Sequence, residues 1–149
     1  MKDQIVSIEV AKLLKELGFD WKTLHYYYKG KLEEPWLENG SSTDCGFRVD
    51  LEDLFEQHNK PHCEAYSAPT KSLTQKWILE NYGLFIYIDT IITNEYWYSI
   101  KNIKNLTPYR VIKSQLDDLV SDDDFETYEG ALEAGLLSSL NYIKQNKNK

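Results

Sequence analysis

The sequence predicts an α+β fold: an antiparallel sheet of about three strands flanked by helices in αβββα order, preceded by an N-terminal helix and an added lobe. Three observations carry this. Residues 67–103 read as a capped helix that feeds directly into a two-stranded hairpin. Residues 127–143 repeat apolar side chains at helical spacing, and residues 7–18 do the same between a serine and a glycine. The chain is expected to form a single domain over 1–149, with an N-terminal lobe over 1–66 and the αβββα core over 67–145.

Each element has a local reason. Ser7 is placed to cap the first helix, Val10, Leu13, Leu14 and Leu17 form its apolar stripe, and Gly18 stops it. Thr23 to Tyr28 is strand-like, and Lys29-Gly30-Lys31 reads as a turn. Glu33 to Gly46 is polar, holds Pro35 and Gly40, and reads as a flexible loop. Asp50 is placed to cap a short helix over 51–58, and Asn59 to Tyr66 reads as irregular. Thr70 is placed to cap the central helix, in which Leu73, Trp77 and Ile78 share a face and Gly83 supplies a left-handed end.

In the strand that follows, Leu84, Ile86 and Ile88 point one way and Phe85, Tyr87 and Asp89 the other. In the returning strand Tyr96, Tyr98 and Ile100 alternate with Trp97, Ser99 and Lys101. A third strand is expected over Tyr109 to Ser114, after Pro108. An acidic stretch then reads as a solvated loop. Thr127 is placed to cap the last helix, whose stripe is Tyr128, Leu132, Gly135/Leu136, Leu140 and Ile143. Acids lie at its start and Lys144, Lys147 and Lys149 at its end, which complements the helix dipole.

Composition narrows the function. The 149 residues carry a net charge of −7 with eleven Tyr and four Trp. That charge opposes binding to nucleic acid or to anionic membranes, while abundant aromatic rings favour cores and protein interfaces. Arg48 and Arg110 are the two arginines, so no arginine-rich phosphate site is available. No stretch approaches the roughly 20 apolar residues of a membrane span. Without a signal-like apolar core at its start, the chain is expected in the cytoplasm, with Cys45 and Cys63 as reduced thiols.

Several groups of residues have the right composition for chemistry. Cys45, His58, His62 and Cys63 include a His-x3-His step of zinc-finger spacing. Adjacent His62 and Cys63 cannot easily point at one ion, and no Cys-x2-Cys knuckle accompanies them, so no metal and no cofactor is expected. Cys63 beside His62 has the composition of a thiol nucleophile and its base, without a motif. No Walker loop and no Gly-x-Gly-x-x-Gly occurs. No catalytic residue is assigned.

Three resemblances follow from particular residues. The order of the 70–143 elements, with Pro69-Thr70-Lys71-Ser72-Leu73-Thr74-Gln75-Lys76-Trp77 and Ala131-Leu132-Glu133-Ala134, resembles a double-stranded-RNA-binding domain. That family grips phosphates with lysines where its last helix begins. Here Asp122, Asp123, Asp124, Glu126 and Glu129 stand there, so the resemblance implies the topology and not the activity.

Ile8-Glu9-Val10-Ala11-Lys12-Leu13-Leu14 and Thr23-Leu24-His25-Tyr26-Tyr27 resemble the two helices of the MerR-type helix-turn-helix. Three extra residues separate them, and His25 replaces a DNA-contacting arginine. The broadest resemblance rests on Ala11 to Asp20, Tyr26-Tyr27-Tyr28, Ser67-Ala68-Pro69-Thr70, Lys76-Trp77 and Tyr128 to Gly135. Together these resemble small uncharacterised proteins of Bacteroidetes-type gut bacteria and their prophages, which implies a mobile-element setting.

The expectation is therefore a non-enzymatic, phage-associated accessory protein acting by protein–protein binding or self-association. Phe85, Tyr87 and Trp97 on one sheet face, with Asp122, Asp123 and Asp124 nearby, are its candidate contacts. The alternatives are a nucleic-acid-binding regulator and a small cysteine-dependent hydrolase using Cys63 and His62.

Overall fold

The computed structural model describes residues 4–34, 59, 64–90, 95–103, 119–120 and 124–147. The chain divides into two units, Ile5–Thr70 and Met1–Gln4 with Lys71–Lys149.

In the first unit, α1 (Ile8–Leu17) begins at Ser7, whose Oγ accepts from Val10 N at 3.4 Å. It ends at Gly18 in the left-handed region, where a Cβ would be strained. Val10, Ala11, Leu14 and Leu17 are buried, and α1 packs on β3 (Ala65–Ala68). β1 (His25–Tyr28) turns back into β2 (Lys31–Glu33) through Lys29 and Gly30, with φ of 47° and 80°. Positive φ at both loop positions matches the twist of a two-residue hairpin, and glycine makes the second one cheap.

The strand order is β2-β1-β3, antiparallel throughout. Two expectations are corrected here. Ala65 and Tyr66, read as irregular, begin β3, and Glu33, read as the start of a loop, ends β2. His25 to Tyr27 lie in a strand, so the second helix of the helix-turn-helix resemblance does not form. The outer edge of β3 is closed by side chains. Asn59 accepts from Ser67 N at 2.8 Å and donates to Phe19 O at 3.2 Å, while Lys15 Nζ donates to Ala65 O at 2.9 Å.

The second unit has αβββα order: α2 (Lys71–Tyr82), β4 (Leu84–Thr90), β5 (Tyr96–Asn102), β6 (Leu119–Val120) and α3 (Tyr128–Lys147). Gly83, at φ 69°, lets α2 run straight into β4. The sheet is antiparallel in the order β4-β5-β6. Among the described residues, the strand on the other side of β5 from β4 is Leu119–Val120, inside the acidic stretch read as a solvated loop. The expected strand over 109–114 lies outside the described residues, as do the expected helix over 51–58 and most of the 33–46 loop.

Both helices pack on β4, α3 also packs on β5, and the two helices touch each other. Between them and the sheet lie Trp77, Ile78, Leu84, Ile86, Ile100, Leu132, Leu136, Leu140 and Ile143, all buried. Gly135 lets α3 seat closely: a Cβ there would lie 3.0 Å from Ile86 Cγ2. Thr127 caps α3, its Oγ1 accepting from Gly130 N at 3.1 Å. The helix runs on to Lys147, beyond its last buried residue, Ile143.

α2 also buries a charge. Lys71 Nζ donates to Gln4 Oε1 at 3.2 Å and to Glu129 O at 3.0 Å. It lies 3.3 Å from Glu133 Oε2, an ion pair rather than an aligned hydrogen bond.

Candidate functional site

The face of the β4-β5-β6 sheet opposite the helices is set by register. Phe85 faces Lys101 across the strands, Tyr87 faces Ser99, and Asp89 faces Trp97. Residues directly opposite in an antiparallel pair project to the same side. Since Ile86 meets the Gly135 position of α3, these six project away from the helices. Phe85 is 42% exposed, Tyr87 and Trp97 are half-buried, and Ser99 between them is nearly closed off at 3%.

The rings are organised along β4. Phe85 and Tyr87 stack with centroids 6.2 Å apart and planes 20° from parallel. Lys101 Nζ sits 4.7 Å from the Tyr87 ring centroid, a cation–π contact.

Charge is graded across this sheet. Lys101 marks one end. At the other end Asp89, Glu95, Asp124 and Glu126 are all exposed. Phe125, between the last two, exchanges backbone hydrogen bonds of 2.9 and 2.7 Å with Tyr96 at the start of β5. The structure therefore brings Phe85, Tyr87 and Trp97 onto one face, and places Asp124 at its Trp97 end. Asp122 and Asp123 lie outside the described residues. Lys101 and Asp89 were not among the expected contacts. Period-two alternation from Phe85 and Trp97 would have found both.

A concavity of about 290 Å³ lies among Tyr82, Leu84, Asn102, Tyr142, Ile143, Asn146 and Lys147. Burial raises the Tyr82 phenol above its usual range. Among the described residues, Lys147 is the one charged lining residue.

Cys45, His58, His62 and Cys63 lie outside the described residues. Among the described residues, no three His, Cys, Asp or Glu side chains come together as metal ligands. No helix among them is long and apolar enough to cross a membrane. Comparison with protein-family models, with curated proteins and with solved structures gives no match for this chain.

Proposed function

We propose that this chain is a non-enzymatic accessory protein of a phage or mobile element, working in the cytoplasm and binding another protein through the open sheet face. The observation that carries the reading is the stacked Phe85–Tyr87 pair, Phe85 exposed and Tyr87 half-buried, with half-buried Trp97 on the same side. Aromatic rings are enriched at interface centres because they bury much area at little conformational cost. The mobile-element part rests on the resemblance of the sequence motifs.

A nucleic-acid role is less well supported. Rings alone can stack bases, but Asp89, Glu95, Asp124 and Glu126 around the same sheet would repel phosphates.

The test is affinity capture from the native host, with wild type, Tyr87→Lys and Tyr142→Lys as baits. Tyr142 is exposed on α3 and serves as the control. A partner lost with Tyr87→Lys and kept with Tyr142→Lys is the expected result. Equal capture by all three removes the face from the account. Salt-dependent binding of DNA or RNA in a parallel titration would transfer the reading to nucleic acid.

A further inference from the structure

We infer that the occupant of the open face is a second copy of this chain, packed face to face about a two-fold axis; this rests on the protein-binding reading above. The argument is the self-complementary placement of two charges. Lys101 and Asp89 project from the same face at opposite corners, one across from Phe85, the other across from Trp97. Four residues separate the two positions along the strands, roughly 13–14 Å at about 3.4 Å per residue. The Tyr87–Ser99 pair lies midway between them.

A closed dimer needs a surface in which residue i meets j while j meets i. A two-fold axis between the sheets, over Tyr87 and nearly perpendicular to the strands, exchanges the two ends of the face. Lys101 of each copy then lies over Asp89 of the other, and the two Tyr87 rings meet at the axis. Among the described residues, Lys101 contacts the Tyr87 ring and no carboxylate. Asp89 Oδ1 accepts from Thr90 N at 2.8 Å, which leaves its second oxygen on an exposed residue.

The face is small. Two seven-residue strands, β4 and β5, present a few hundred Å², below the roughly 800 Å² per partner of standard stable complexes. Each copy also carries a net charge of −7. The dimer is therefore weak, dissociates on dilution, and depends on the two reciprocal ion pairs for its register.

The test is sedimentation velocity across a dilution series reaching millimolar protein, on wild type, Asp89→Lys, Lys101→Asp and the double swap. Each single reversal sets like charges against each other twice and should weaken association at least about tenfold. The double swap restores both pairs and should return to within about threefold of wild type. Recovery in the double variant is a result that a different partner protein would not produce.

A wild type that stays monomeric throughout overturns the inference, as does a double swap no better than the single reversals. If either reversal fails to fold, Lys101→Gln and Asp89→Asn provide the same cycle with smaller steps, and absence of coupling between them is equally fatal. A monomeric wild type whose host partner is still lost with Tyr87→Lys would sink this inference and leave the broader reading intact.

Discussion

A single methyl group at Gly135 tests how α3 seats on the β4-β5-β6 sheet. Replacing glycine by alanine inside a helix normally gains about 1 kcal/mol, because the backbone loses less freedom on folding. Here the new Cβ would lie 3.0 Å from Ile86 Cγ2 and 3.1 Å from both Cβ and Cγ of Tyr98. Carbon atoms prefer separations of roughly 3.5–4.0 Å, so the contact is short by about 0.5 Å or more.

Neither neighbour yields easily. Ile86 is fully buried, and the Tyr98 Cβ is fixed to the backbone of β5. Overpacking of this kind costs about 1–3 kcal/mol, so Gly135→Ala should destabilise by up to about 2 kcal/mol net. Urea unfolding followed by circular dichroism measures this. Ile86→Leu removes the β-methyl group and should relieve part of the loss in the double variant. A Gly135→Ala protein more stable than wild type by the full propensity gain would mean that α3 does not pack on Ile86 and Tyr98 as described.

Other perturbations read other contacts. Lys71→Met strips the cation from a site where Lys71 and Glu133 side chains are 9% and 24% exposed. It should cost about 3 kcal/mol, the low end for broken buried pairs, and Lys71→Met/Glu133→Leu should recover much of that in denaturant melts. Trp77→Ala removes a ring that is 2% exposed and should cost about 3–5 kcal/mol, leaving the domain largely unfolded. A melt like wild type would refute the register of α2.

Tyr82 gives a pH dependence. Its folded phenol titrates above the usual 10.0, so its contribution is intact below that pH. The contribution fades as pH rises further, because the unfolded chain ionises first. Tyr82→Phe should flatten that alkaline loss, which a stability series above neutral pH would show.

Local signals made much of this legible. Ser7 and Gly18 bracket α1, the Lys29-Gly30 step marks a turn, and the alternation of Leu84, Ile86 and Ile88 with Phe85, Tyr87 and Asp89 separates the two faces of β4. What stayed hidden depends on distant partners. The Ala-Tyr-Ser-Ala run of β3 has no β-branched residue, and it is held by pairing with β1 and by the Asn59 bracket. β6 is two residues inside an acidic stretch, defined only by its pairing with Ser99 and Ile100. The burial of Lys71 shows only in the fold, where Gln4 Oε1 and Glu129 O accept from it and Glu133 pairs with its charge. In the site itself the three rings were visible from period-two alternation. The opposed corners occupied by Lys101 and Asp89 follow only from the β4–β5 register.

The central claim is that Phe85, Tyr87 and Trp97 form a binding surface and not a core. The most direct measurement is Tyr87→Lys, studied at once by equilibrium unfolding and by sedimentation over a dilution series. An interface residue should leave the unfolding free energy within about 0.5 kcal/mol of wild type while association weakens. A wild type monomeric at high concentration, with a Tyr87→Lys protein that instead loses several kcal/mol of stability, would show that the ring belongs to a core and contradict the account.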